Sequence, residues 1–113
     1  MLSRDINYVL DLLEAVRLLQ TFVAGVDQDT FENDLMRQAA VMRQLEIMGE
    51  AARRLSEETR LELSEIPWRQ IIGMRNRLIH GYDDVDLAIV WDSVQNDLPL
   101  LIAQLEKVVP LEE

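Results

Sequence analysis

The sequence predicts an all-α fold, a compact antiparallel bundle of four main helices. Three observations predict it. Apolar residues make up 49% of the 113 residues and recur at intervals of three and four. Four glycines and three prolines are too few for the tight turns of a β-rich chain. Only 5% of residues are aromatic, so Leu, Ile, Val, Met and Ala, mostly good helix formers, must fill the core. The length suits a single domain spanning residues 1–113.

The first helix is predicted from about Ser3 to Val23. Ser3 is the candidate N-cap, Ile6, Leu10, Leu13, Val16 and Leu19 form an apolar stripe, and Gly25 ends the helix. A short polar link with Asp27, Asp29 and Thr30 follows, with a helical turn near Phe31. The second helix runs from near Asp34 to about Leu55. Met36, Ala40, Leu45, Ile47, Met48 and Ala51 are its expected apolar contacts. Gly49 sits in its middle, where glycine costs about 1 kcal/mol relative to alanine. Close approach of another helix is the expected reason. Ser56 to Ile66 reads as polar and irregular, with another short turn. The third helix opens at Pro67, suited to a first helical position, and closes at Gly81, suited to a C′ cap. The fourth begins after Asp86 as N-cap and carries Leu87, Ile89, Val90, Trp91 and Val94. Pro99 is expected to kink or break it near Gln95 and Asn96.

Composition narrows the function classes. There is no cysteine, which excludes disulfides and thiolate metal sites. One histidine gives neither a zinc site nor a di-iron site built from paired Glu-x-x-His units. No glycine-rich phosphate loop is present. No metal and no cofactor are therefore expected. Asp5, Asp11 and Glu14 interrupt any apolar run at the N-terminus, and no stretch approaches the roughly 18 apolar residues of a membrane span. A soluble, cytoplasmic chain with no membrane partner is expected. The net charge of −10 opposes nonspecific nucleic-acid binding by the chain as a whole. Yet six of the ten arginines lie between Arg53 and Arg77, which points to a local basic surface on an acidic body.

The third helix carries the unusual residues. At about 100° per residue, Trp68, Ile71, Ile72, Leu78 and Ile79 share one apolar arc. Arg75 falls within it, and a guanidinium there needs a partner or a route to water. Arg69, Gly73, Asn76 and His80 share a neighbouring arc. Asn76 lies one turn before His80, so the two side chains are within reach of each other. Position alone also allows plainer roles. Arg75 can snorkel to the surface or pair with one of the 21 acidic residues, and His80 can complement the helix dipole in the last turn. Gly81 can be a cap, and Tyr82 a turn residue packed over the helix end.

Arg75, His80 and Tyr82 reproduce the order Arg, four residues, His, one residue, Tyr, with polar Asn76 directly after the arginine. This resembles the motif of the HepT toxins, within the HEPN superfamily of helical nucleotide-binding and RNase domains. Gln44 to Ser56, Pro67-Trp68, and Trp91 to Pro99 extend the similarity over essentially the whole chain. The resemblance implies a metal-independent endoribonuclease toxin acting on RNA such as tRNA. It implies a homodimer with the motif helices near the subunit interface. It also implies an antitoxin, a minimal nucleotidyltransferase that transfers AMP to the motif tyrosine, here Tyr82.

The residues suit that chemistry. Metal-free RNA cleavage with the neighbouring 2′-hydroxyl as nucleophile needs a proton acceptor, a proton donor and positive charge at the phosphorane-like transition state. An imidazole such as His80 accepts or donates protons near neutral pH. Arg75 can grip phosphate oxygens in a fork. Asn76 can orient imidazole or substrate, and Arg69 and Arg77 can support RNA contacts. On an ideal helix Arg75 and His80 diverge by about 140°. A long arginine, a frayed helix end or a site shared between subunits must close that gap. Two other readings compete: a catalytically silent helical dimer that binds RNA, nucleotide or a partner protein, and a chain that serves mainly as substrate of the nucleotidyltransferase.

Overall fold

The computed structural model describes residues 3–81 and 85–108. A 3-10 turn at Ser3–Asp5 leads into α1 (Ile6–Val23). The short α2 (Gln28–Glu32) precedes α3 (Leu35–Arg54), and the short α4 (Glu57–Glu62) precedes α5 (Trp68–His80). The last helix is α6 (Leu87–Val108). The four long helices are those predicted, and no strand occurs among the described residues.

The local signals are mostly side chains that complete helix ends. Asp34 accepts the Arg37 N–H ahead of α3, and Ser56 accepts the Thr59 N–H ahead of α4. Asp86 accepts the Ala88 N–H ahead of α6. Gly25, just past α1, has φ of 71°, a conformation that side chains resist. Three boundary expectations shift. Asp5, not Ser3, is the N-cap residue of α1, and its carboxylate turns elsewhere. Pro67 is the N-cap of α5 rather than its first helical residue, so the helix starts one residue later than expected, at Trp68. Gly81 closes α5 with its N–H on the Arg77 carbonyl, but its φ of −142° is not left-handed, so the cap does not demand glycine there. Helix α6 runs unbroken through Pro99. Gln95, whose carbonyl loses its usual donor at Pro99, is exposed and accessible to water.

Helix α3 packs against both α1 and α5, and α1 also packs against α6. Val9, Leu12, Val16 and Leu19 of α1 meet Val41, Leu45, Met48 and Ala52 of α3. Val90, Val94, Leu98, Leu101 and Leu105 line the buried face of α6. Each such aliphatic side chain contributes about 1.5–3 kcal/mol by leaving water. Phe31 of α2 is fully buried and packs on Trp91 of α6, ring centroids 5.3 Å apart. Some expected core residues are not core: Ile6, Leu10, Met36 and Ile89 are exposed. Helices α1 and α6 carry apolar residues on more than one arc, and periodicity does not say which arc a neighbour covers.

Two polar clamps join the helices, one between segments distant in sequence and one local. The Asp5 carboxylate, fully buried, accepts the Ser56 N–H at 3.1 Å and the Ser56 and Thr59 hydroxyls at 2.6 Å each. It thereby ties the start of α1 to the start of α4. Burial pushes this carboxyl up, but the hydrogen bonds from Ser56 and Thr59 outweigh it and hold it below its ordinary range. Trp68 donates its indole N–H to the Arg60 and Leu63 carbonyls, closing the end of α4 against the start of α5. These clamps set where α5, and with it the candidate site, begins.

Candidate active site on helix α5

Helix α5 presents its functional side chains in different directions. Ile71, Met74 and Leu78 are buried and anchor it. Arg69, Asn76, Arg77 and His80 are exposed. Arg75 is the exception anticipated from its place on the apolar arc, with its side chain only 19% exposed.

Gly49 explains how an arginine fits there. A Cβ built on Gly49 would lie 2.0 Å from the Arg75 Cβ and 3.2 Å from the Ile71 carbonyl oxygen. Helices α3 and α5 therefore approach through the missing side chain, as expected for a glycine inside a helix. The Arg75 stem fills that space. Its Nη2 pairs with Glu50 Oε2 at 2.9 Å, and its Nη1 donates to Asn76 Oδ1 at 2.9 Å. Its Nε is buried without a hydrogen-bond partner among the described residues.

Glu50 serves more than Arg75. Its Oε1 accepts from Arg54 Nε at 2.7 Å and from Arg53 Nη2 at 3.1 Å. The hydrogen bonds from Arg54 and then Arg53 draw the Glu50 carboxyl down from 4.5 to about 2. Three guanidiniums thus gather on one carboxylate, leaving an excess of two positive charges. Glu50, Arg54 and Arg75 border a cleft of about 420 Å³ between α1, α3 and α5, which Tyr8, Asp11, Arg43, Glu46 and Ile79 also line.

His80 opens on another side. It borders a cleft of about 510 Å³ with Met74, Arg77, Val85, Asp86 and Ile89. Among the described residues its imidazole has no hydrogen-bond partner, and Asn76 is engaged by Arg75 rather than by His80. Asn76 itself edges a third cleft, about 700 Å³, with Arg60, Trp68 and Arg69. Arg69 and Arg77 also share a groove with Asp92 and Asp97 of α6. Among the described residues, Arg75 and His80 border different clefts. The helix remains α-helical through His80, and Arg75 turns towards α3, so neither fraying nor reach joins them here. The arginines between Arg53 and Arg77 do not share one face: Arg54 and Arg75 border the α3–α5 cleft with Asp11, Glu46 and Glu50, and Arg60 and Arg69 border the α4–α5 cleft with Glu57. Tyr82 lies outside the described residues. Among those residues, no group of three or more His, Asp or Glu side chains gathers as a metal site. Among the described residues, no helix is long and apolar enough to cross a membrane.

Sequence reasoning did not single out Glu50 or Asp5. Glu50 lies three and four residues before Arg53 and Arg54, a helical charge pattern that marks a pair, and directly beside the mid-helix glycine. Those two signals together would have marked it.

A family model described as "Ribonuclease HepT-like" matches residues 12–108. The chain belongs to the HepT-like ribonuclease family. Three relatives match over nearly their whole length. A Thermococcus cleftensis protein named as a ribonuclease HepT is 37% identical over 102 residues, covering 90% of this chain and 93% of the relative. A Methanocaldococcus jannaschii protein named as an RNase is 35% identical, covering 96% of this chain and all of the relative. An RNase-named protein of Caldanaerobacter subterraneus subsp. tengcongensis is 34% identical, covering 94% of this chain and 95% of the relative. No solved structure matches. Family membership makes the chain a ribonuclease and RNA its substrate class.

Proposed function

We propose that this ribonuclease is the toxin of a toxin–antitoxin pair: a metal-independent endoribonuclease that acts as a homodimer on RNA, tRNA being the substrate expected. One observation supports the shared site most directly. Arg75 and His80, the charge carrier and the proton carrier, sit on one helix but border different clefts. A two-fold pairing of α5 helices brings Arg75 of one chain towards His80 of the other. Gly73 favours such an approach, since nothing lies within 4 Å of a Cβ placed there.

In this reading the 2′-oxygen bonds to phosphorus, and the bond from phosphorus to the 5′-oxygen breaks. His80 of one chain takes the 2′-hydroxyl proton and, as the imidazolium so formed, gives it to the leaving 5′-oxygen. Arg75 stabilises the charge on the non-bridging oxygens. Asn76 restrains Arg75, and Arg69 and Arg77 hold flanking phosphates. A nucleotidyltransferase antitoxin silences the chain by placing AMP on Tyr82.

The test mixes two inactive variants. His80→Ala and Arg75→Ala should each lose RNA cleavage and growth inhibition while keeping wild-type helicity. Subunit exchange between them should restore cleavage, because one site of the mixed dimer regains both groups. Cleavage by the wild type should persist in EDTA. Failure of the mixture to regain activity would remove the shared site. A second reading, a silent RNA-binding dimer, draws on the fact that Arg75 is already paired with Glu50 and Asn76. Retained RNA binding without cleavage by the wild type would favour it.

A further inference from the structure

We propose that Glu50 is a positioning residue for Arg75, and that α3 holds the guanidinium ready for a substrate phosphate. The inference rests on the reading of Arg75 as a phosphate-binding group. It goes beyond the motif helix, because Glu50 belongs to α3.

Three independent restraints converge on this one side chain. The stem is fixed first: Arg75 Cβ and Cγ occupy the place of the side chain that Gly49 lacks, so the aliphatic part lies against the α3 backbone. The plane of the guanidinium is fixed next, by Glu50 at Nη2 and Asn76 at Nη1. The Nε is enclosed without a partner, so it cannot turn outward without moving the stem.

The donors left over suit a phosphate. A guanidinium carries five N–H groups, two of them on each terminal nitrogen. Glu50 and Asn76 engage one on each side, and one more on each terminal nitrogen stays available for a forked contact with two oxygens. Within the ion-pair group, Glu50 binds Arg53, Arg54 and Arg75 together, so its one negative charge orders Arg75 without neutralising the group. A carboxylate holding a single arginine would neutralise it. Asp11 and Glu46 also line the cleft, and Glu46 is paired with Arg43. Pre-setting a long, flexible side chain spares its ordering cost when RNA binds, and a small misplacement of such a group weakens the transition state more than the bound substrate.

The experiment compares wild type, Glu50→Gln and Glu50→Asp in RNA cleavage and in NMR of the arginine Nε–H groups. Glu50→Gln should lower kcat on the order of 10- to 100-fold with a smaller change in KM. Glu50→Asp, which keeps the charge on a shorter arm, should recover part of the loss. The Arg75 Nε–H signal should be sharp and slow to exchange in the wild type, and broadened in Glu50→Gln at unchanged helicity. If Glu50→Gln cleaves as well as the wild type, or faster, Glu50 does not position Arg75 for catalysis. An Arg75 signal indifferent to Glu50→Gln overturns the proposal as well. Should the wild type fail to cut RNA, the catalytic reading of Arg75 falls, and the NMR comparison alone decides whether Glu50 orders it. Should Glu50→Gln fail to fold, Glu50→Asp carries the same comparison, and wild-type kcat and an unmoved Arg75 signal there count against the proposal.

Discussion

At the scale of single residues, the molecule turns on a charged side chain in an apolar setting. Arg75 is tolerated because each exposed end of its guanidinium meets an acceptor. Helical periodicity placed Arg75 among apolar neighbours, but 21 acidic residues offered partners and spacing along one helix did not choose among them. Tyr82 raises a different residue-scale expectation. After coexpression with the proposed nucleotidyltransferase antitoxin, the peptide containing Tyr82 should gain one or more AMP masses, with RNase activity lost. Tyr82→Phe should stay folded and escape silencing. An unchanged mass, or an adduct at another residue, would end the claim for Tyr82 while leaving the nuclease intact. The physical reason to expect silencing is bulk and negative charge placed two residues from His80 in sequence, on a chain already carrying −10.

At the scale of elements, the decisive contact is α3 against α5. Gly49→Ala adds about 1 kcal/mol of helix propensity yet drives a methyl group into the root of Arg75. Atoms so near the backbone cannot swing aside, so overpacking of about 1–3 kcal/mol should win. Urea unfolding should show a less stable Gly49→Ala chain, with RNA cleavage reduced as well. A stabilised variant would mean that the two helices can separate freely. The clamp from α1 to α4 yields a pH prediction. The Asp5 carboxyl lies below its ordinary 3.8 in the folded chain, through the Ser56 and Thr59 hydrogen bonds that outweigh burial. Its contribution is therefore complete above 3.8 and is lost as pH falls through the folded value. Glu50 acts in the same direction between 4.5 and about 2. Asp5→Asn should cost about 2 kcal/mol at neutral pH, and its deficit against the wild type should shrink below pH 3.8. A deficit that stays constant with pH would show that charge on Asp5 does not matter.

At the scale of the whole molecule, the described residues form a slab of 41 × 33 × 19 Å. The candidate groups are spread around one helix of that slab rather than gathered in one cavity. Light scattering at micromolar concentration should report a homodimer, since the proposed chemistry needs groups from two chains. A monomer that still cleaves RNA would overturn the shared site. The groove between α5 and α6 is consistent with such pairing: Arg69 and Arg77 line it beside Asp92 and Asp97, and none of the four forms an ion pair with another described residue across it.

The sequence by itself determined the helical class, the order and approximate ends of the four long helices, the family, and the helix that carries the candidate residues. These follow from local physics: apolar spacing, capping side chains, glycine and proline at helix ends, and a motif contained within one short stretch. Even the close approach at Gly49 was legible, since a mid-helix glycine has few other uses. Only the tertiary structure decided which apolar arc of α1 is buried, what Asp5 is for, and that Glu50 is the partner of Arg75. Each of these depends on a neighbour brought from elsewhere in the chain. Asp5 and Ser56 are 51 residues apart and Thr59 lies 54 from Asp5, so no periodicity links them. The separation of Arg75 from His80 was predictable from helix geometry. That the arginine is held by α3, on another side from His80, was visible only in the tertiary structure.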